Sequence, residues 1–115
     1  MAASNTFYLK IISANRVFYS GRCRSLIVPE YDGQKEILAH HEDMVIAIDD
    51  GEMRFQPEGS ENWEYAVVGM GFVEIVNNRV TLLVETAERP ETTILTTGPL
   101  VIKSQRPPKK GLSAR

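Results

Sequence analysis

Apolar and polar residues alternate most clearly over residues 66–85, where two β-prone runs are separated by Asn77-Asn78. A two-residue period is the mark of a half-buried strand, and asparagine tolerates the positive φ that a tight hairpin turn requires. Gly69 and Gly71 at the head of the first run indicate a bulge or the close approach of another backbone. The stretch therefore predicts a β-hairpin around which the remaining chain is organised. Its inward parity consists of Val73, Ile75, Val80, Leu82 and Val84.

Shorter runs of the same kind precede this hairpin, and they predict strands over residues 7–12, 16–19, 22–28, 35–38, 44–48, 53–56 and 63–68. The apolar residues change parity within the run over residues 22–28, because Cys23 is at an odd position and Leu26 and Val28 are at even positions. A bulge near Arg24-Ser25 would place all three side chains inside. No helical period longer than one turn occurs before residue 87. About eight to ten short strands at this spacing are typical of an all-β fold, a small antiparallel β-sandwich or barrel.

Length and composition narrow the class of protein. A chain of 115 residues is expected to form one domain, and a net charge of −2 does not indicate a general nucleic-acid surface. The single cysteine, Cys23, excludes an intrachain disulfide and indicates a reducing compartment. The sequence contains neither a signal-peptide pattern nor the ~20-residue apolar run of a spanning helix. We therefore expect a soluble, cytoplasmic protein that reaches a membrane only through a partner.

The character of the chain changes near residue 90, so we divide it into a sandwich domain over residues 1–89 and a tail over residues 90–115. Residues 92–102 are β-prone but interrupted by Gly98-Pro99, and the sequence then becomes polar and proline-rich. Residues 103–115 carry five basic and no acidic residues, and removing these charges from the total of −2 leaves residues 1–102 at −7. We expect a non-helical, partly disordered tail, and a solvated segment is favoured over one that contacts nucleic acid or anionic lipid.

Two short motifs have both a chemical and a structural interpretation. Gly69-Met-Gly71 could begin a dinucleotide-binding fingerprint, but Glu74 occupies the place of the third glycine and a strand follows instead of a helix. Cys23 lies between Arg22 and Arg24, which could favour a reactive thiolate, although an inward-facing core residue is the favoured interpretation. Neither motif indicates a cofactor or a catalytic group.

The residues His40-His41-Glu42-Asp43 are the only cluster of plausible metal ligands in the sequence. Adjacent residues of a strand point to opposite faces, and no second His or Cys group completes a four-ligand site. A polar docking loop is therefore favoured. The alternative is a small metal-dependent sandwich or jelly-roll enzyme that uses His40, His41 and Glu42.

Several segments, taken in order, resemble the epsilon subunit of ATP synthase over about residues 6–89. They are residues 7–14, 17–21 and 26–28, then Asp32-Gly33, Ile37-Leu38 and His41, then residues 51–55, 69–75, 78–83 and Ala87-Glu88. The resemblance implies a β-sandwich without catalytic residues or cofactors. It also implies a rotor-stalk subunit of a proton-translocating ATP synthase, peripheral on the cytoplasmic face of the cell membrane. Such a subunit binds gamma and the c-ring, and it couples ring rotation to ATP synthesis.

The resemblance also predicts a site. Asp32, Gly33, His41 and Glu42 are expected at the end of the sandwich that meets the c-ring, whereas it assigns no residues to the contact with gamma. Related chains have a glycine where this one has Glu36, and Pro-Gly where this one has Ala39-His40. These changes stiffen or recharge the loop.

Related chains continue beyond the sandwich into a helical hairpin that can bind ATP or extend along gamma. Here Pro90 begins the segment, the threonines of residues 92–97 are poor helix formers, and Gly98-Pro99 and Pro107-Pro108 interrupt it. The sequence therefore predicts no helical hairpin, no ATP binding by this chain and no inhibition through an extended form.

Overall fold

The alternation in the sequence corresponds to nine β-strands in the computed structural model, which describes residues 5–90. No helix occurs within that range. The strands are β1 (Phe7–Ser13), β2 (Arg16–Glu30), β3 (Gly33–Leu38), β4 (Met44–Ile48), β5 (Gly51–Pro57), β6 (Glu64–Val68), β7 (Gly71–Val76), β8 (Arg79–Val84) and β9 (Ala87–Glu88). The all-β class is confirmed. The expectations for the tail concern residues 91–115, which lie outside the described range.

The strands form one hydrogen-bonded sheet in the order β4-β7-β8-β1-β2-β5-β6-β9, and β3 pairs with β2 beside this path. The sheet doubles back at β2, so its two halves form the layers of a sandwich around a single cluster of buried side chains. All pairings are antiparallel except that of β1 with β8, which is parallel. The antiparallel sandwich expected from the sequence thus contains one parallel pair, because strands far apart in the chain can align in either direction.

Strand β2 corrects one expectation, since residues 16–19 and 22–28 belong to one strand of 15 residues. Ser20 and Gly21, which predicted a break, pair with Lys10 and Leu9 of β1. The first part of β2 pairs with β1, and the last part pairs with both β3 and β5. This strand therefore belongs to both layers.

The predicted bulge lies where the two parts of β2 meet. The register against β5 shifts between Cys23 and Ser25. Cys23, Leu26 and Val28 are all fully buried as a result. The parity slip in the sequence thus identified the point at which the strand changes layers.

The core contains the inward parity of every strand from β1 to β8. The five residues predicted from the hairpin are all buried. The largest fully buried side chains also include Phe7, Leu9, Met53 and Phe55. Burying a side chain of this size contributes roughly 1.5–3 kcal/mol of transfer free energy, so the hairpin and its neighbours supply a large share of the stability.

Two hairpins close through two-residue turns with positive φ. Ala14 and Asn15 have φ of 46° and 69°, and Asn77 and Asn78 have φ of 52° and 66°. Positive φ at both central residues matches the right-handed twist of the flanking strands. The predicted hairpin between β7 and β8 is confirmed. The expected close approach occurs at Gly71, where an added Cβ would lie 1.9 Å from the Leu83 carbonyl oxygen.

Candidate docking surfaces

The four residues predicted to face a partner lie in two places. Asp32 and Gly33 are exposed in the hairpin between β2 and β3, and His41 and Glu42 lie in the loop after β3. Strand β3 has six residues, and a rise of about 3.3 Å per residue separates its ends by roughly 16 Å. The structure therefore does not gather the four residues into one cluster, but it places them at the two ends of one strand.

Strand β3 is an edge strand among the described residues, because it pairs only with β2. Tyr31 and Leu38, at the two ends of the strand, are exposed large hydrophobic side chains. Ser25, which is buried, donates a hydrogen bond of 2.7 Å from its Oγ to the Glu36 carboxylate. Glu36, where the resemblance implies a glycine, thus satisfies a buried hydroxyl. We refer to residues 31–42 as the β3 strip.

The loop over residues 39–43 is fixed to the turn between β7 and β8 by reciprocal hydrogen bonds. The His40 amide donates to Asn78 Oδ1 at 2.6 Å, and the Asn77 amide donates to Asp43 Oδ1 at 2.8 Å. Each side thus provides a backbone donor and a side-chain acceptor. Because both bonds join segments more than 30 residues apart in the chain, the position of the loop depends on the hairpin.

Asn78 also ties this loop to the start of β1. Its Nδ2 donates to the Thr6 carbonyl at 3.0 Å, and its own carbonyl accepts from the Tyr8 amide at 3.3 Å. Thr6 is buried, and Arg22 donates to its hydroxyl and its carbonyl at 3.0 and 3.2 Å. We refer to the two side-chain bonds of Asn78, to His40 and to Thr6, as the Asn78 clasp.

His40 has a φ of 65°, in the left-handed region that glycine occupies without steric cost. The resemblance implies a glycine at this place, and His40 holds the left-handed conformation that glycine would favour. The bond from the His40 amide to Asn78 holds the strained residue in place.

The four acidic residues of this region divide into two pairs. Glu36 bonds to Ser25 and Asp43 bonds to the Asn77 amide, so these two carboxylates have structural partners. Asp32 and Glu42 are exposed, and their carboxylates make no hydrogen bond or ion pair with the described part of the chain. The β3 strip thus presents one available carboxylate at each end.

A second candidate surface lies on the outer face of the sheet. Ala47 pairs with Phe72, Phe72 with Leu83, and Leu83 with Ile12, so four apolar side chains cross β4, β7, β8 and β1 in one row. We call these four residues the apolar row. Phe72 is 45% exposed, and a shallow open cleft of about 640 Å³ lies along the row towards Met70 and Glu85.

Further apolar side chains border this row on the same half of the sheet. Val45 on β4 is 66% exposed and Met70 is 51% exposed, whereas Val76, at 47%, lies beyond the polar pair Glu74 and Thr81. Exposed apolar side chains grouped around Phe72 in this way are typical of a protein-protein contact. Sequence reasoning missed the patch, although apolar residues on the outward parity of β7 and β8 were a signal for it.

The cysteine is a core residue, as the sequence favoured. Cys23 is fully buried, and burial raises the pKa of its thiol to about 11. Its Sγ donates to the hydroxyl of Tyr19 at 3.8 Å, and burial also raises the pKa of Tyr19. A protonated thiol in the core is a poor nucleophile, so the structure does not support a reactive cysteine.

The alternative of a metal-dependent enzyme is not supported by the ligand geometry. Over residues 5–90, no group of three or more His, Cys, Asp or Glu side chains is arranged to hold a metal ion. His41 Nδ1 lies 2.9 Å from the Glu42 carbonyl oxygen, and His40 points its amide at Asn78. Within the same range, no helix has the length and the apolar character that crossing a bilayer requires.

The fold is a β-sandwich with two candidate docking surfaces. Residues 6–90 match the family model for the β-sandwich domain of the ATP synthase delta/epsilon chain. The match covers well over half of the chain, and the chain belongs to this family.

Individual relatives agree with the family match. The chain is 37% identical over 86 residues to the ATP synthase epsilon chain of Ruminiclostridium cellulolyticum, covering 75% of this chain and 63% of the relative. It is 36% identical over 83 residues to the epsilon chain of Herpetosiphon aurantiacus, covering 72% and 60%. The matched region thus spans less than two thirds of the length of these relatives.

Two solved structures share the fold. One, from the mitochondrial ATP synthase of Euglena gracilis with its F1 and c-ring, has a TM-score of 0.72 at 17% identity and covers 80% of this chain and 58% of that chain. The other, from the central stalk and c-ring of the Tetrahymena thermophila mitochondrial enzyme, has a TM-score of 0.62 at 8% identity and covers 90% and 87%. At these identities the likeness concerns the fold alone.

Proposed function

We propose that this chain is an epsilon-type subunit of a proton-translocating ATP synthase. It is a non-catalytic part of the rotor, and it joins gamma to the c-ring so that ring rotation is coupled to ATP synthesis. The observation that carries the proposal is the family match over residues 6–90. The two structures with the same fold come from assemblies that contain a c-ring, which is consistent with this role. The subunit would lie on the cytoplasmic face of the membrane as a peripheral part of the complex.

The β3 strip is the proposed contact with the c-ring. It contains Asp32, Gly33, His41 and Glu42, and the roughly 16 Å spanned by its strand β3 suits a row of loops on a ring better than a single pocket. Asp32 and Glu42 are exposed carboxylates without a partner in the described chain, so they favour loops that carry Arg or Lys. Leu38 adds an exposed apolar contact between them.

The apolar row is the proposed contact with gamma. It lies on the outer face of β4, β7, β8 and β1, whereas the β3 strip lies on an edge strand of the other half of the sheet. Two partners can therefore bind at the same time. Phe72 lies near the middle of the row and is the expected anchor, because aromatic residues in the centre of an interface contribute most of its affinity.

Two pairs of charge-changing variants test the two contacts separately. Phe72→Lys should weaken binding to purified gamma by roughly thirtyfold, and Tyr65→Lys, an exposed aromatic residue of β6, should change it little. Glu42→Lys should weaken binding to a detergent-solubilised c-ring carrying gamma by about tenfold at low salt, with a smaller effect at high salt. Glu88→Lys, on β9, is the matched reversal away from the β3 strip.

The unfolding midpoint of each variant is measured alongside, since an exposed substitution seldom changes stability by more than ~0.5 kcal/mol. The assignment of either surface fails if its variant binds like the unmodified chain. The proposed function itself fails if the unmodified chain binds neither gamma nor the c-ring. Stoichiometric bound metal in the purified protein would instead favour an enzyme.

A further inference from the structure

Three segments meet at one side chain near the end of the sandwich. The carboxamide of Asn78 accepts from the His40 amide at 2.6 Å and donates to the Thr6 carbonyl at 3.0 Å. It therefore links the loop over residues 39–43 to β1 across the hairpin turn. Both of its polar atoms are used, and each contacts the backbone of a different segment.

The geometry of the loop requires such a link. His40 holds a φ of 65°, which a residue with a Cβ adopts only when its surroundings compensate for the cost. If the bond to Asn78 is removed, the right-handed or extended conformation becomes more favourable at His40. A change of φ at this residue turns the direction of the next two residues, His41 and Glu42.

We infer that Asn78 is the positioning residue of this docking loop: its side chain selects the left-handed conformation of His40 and so fixes how His41 and Glu42 meet a partner. The inference rests on the proposed function, because the partner is the c-ring. It adds that the affinity of the β3 strip for its partner depends on Asn78. This residue lies in the hairpin between β7 and β8 and does not belong to the strip.

The neighbouring Asn77 provides a matched control. Asn77 and Asn78 have φ of 52° and 66°, so glycine is tolerated at both positions and the turn is kept. Asn77 contributes its backbone amide to the bond with Asp43, and glycine retains that amide. Asn78→Gly removes both side-chain bonds of the clasp, whereas Asn77→Gly removes none of them.

The test uses the full chain and two measurements. Amide hydrogen exchange should become about fivefold faster at His40 in Asn78→Gly and change by less than about twofold in Asn77→Gly. Binding to a detergent-solubilised c-ring carrying gamma should weaken by a similar factor of about five in Asn78→Gly alone, because the binding-competent loop is less populated. Exchange in β5 and β6 reports any general loss of stability.

Each outcome has a defined meaning. Equal exchange at His40 in the two variants overturns the inference, whatever the binding result. Faster exchange with unchanged affinity also overturns it, because the loop would then be ordered by Asn78 without affecting its partner. If the unmodified chain does not bind the c-ring carrying gamma, the proposed function fails, and the exchange data alone decide whether Asn78 holds the loop.

Discussion

Replacing Gly71 by alanine would place a methyl group inside the backbone of the neighbouring strand. The added Cβ would lie 1.9 Å from the Leu83 carbonyl oxygen and 2.8 Å from the Val84 Cα. An ordinary contact between these atoms needs more than 3 Å, so the two strands must separate locally by over 1 Å. These are backbone atoms, and no side-chain rotation can relieve the overlap.

The loss in the free energy of unfolding depends on which backbone hydrogen bonds this separation of β7 and β8 breaks. Gly71 pairs with Val84, and the next hydrogen bond along the ladder runs from the Glu85 amide to the Met70 carbonyl at 3.0 Å. Overpacking costs about 1–3 kcal/mol, and an unmade backbone bond adds about 1–3 kcal/mol. We expect Gly71→Ala to lower the free energy of unfolding by about 3 kcal/mol or more, which for a domain of this size lowers Tm by over ~12 °C.

Urea unfolding followed by circular dichroism measures this loss, and Gly69→Ala is the matched control. A Cβ at Gly69 would meet the Thr86 hydroxyl at 2.9 Å, a side-chain atom that can rotate away. Its contacts with Glu85 Cβ and the Thr86 backbone nitrogen, both at 3.3 Å, need a shift of only a few tenths of an ångström, so we expect a loss below about 1.5 kcal/mol. A Gly71→Ala protein within about 1 kcal/mol of the unmodified chain would refute the close approach. So would a Gly69→Ala protein that is the less stable of the two.

Three further outcomes can be measured on the purified chain. Leu82→Ala removes a fully buried side chain and should cost about 2–5 kcal/mol in urea unfolding, and an unchanged midpoint would contradict the assigned core. His40→Gly should leave stability within about 1 kcal/mol of the unmodified chain or raise it, whereas His40→Val should lower it by about 1–2 kcal/mol, and equal midpoints would contradict the left-handed backbone. The buried Cys23 thiol keeps its proton when the unfolded thiol, with a pKa near 9.0, loses it, so stability is full below that pH and falls as pH rises towards about 11. Between about pH 9 and pH 10 the loss from Cys23 should be about 1 kcal/mol by linkage. Cys23→Ala should remove most of this slope and leave the smaller part that comes from Tyr19, whose pKa burial also raises. A variant with an unchanged slope would assign it to another group.

The sequence was most informative where a local period decides the structure. The inward parity of β7 and β8 predicted their buried residues, and the parity slip at Arg24-Ser25 located the bulge, because side chains alternate strictly along a strand. Ser20-Gly21 led to a wrong prediction because both residues are local turn formers. In the structure, pairing with β1 outweighs that local preference.

The candidate docking surfaces were harder to predict from the local sequence pattern. Periodicity indicates which residues share a face, but it does not say which outward face stays uncovered, so the row through Phe72 and Leu83 appears only when the strand order is known. The placement of His40 depends on Asn78, which is 38 residues away in the chain. The six-residue strand β3 lies between Asp32 and Glu42, and whether both meet the c-ring stays a prediction.

Strand β2 has a mechanical consequence. The two layers of a sandwich pack through interdigitating side chains, and a shear load can slide one layer over the other where only those contacts and flexible loops join them. Here a single covalent chain of 15 residues runs from one layer into the other, hydrogen-bonded to β1 at its start and to β3 and β5 at its end. A load applied to one face must therefore stretch or peel this strand before the layers can slip. A torque received on one face would reach the opposite face through a backbone under tension, and little of it would be lost as internal strain.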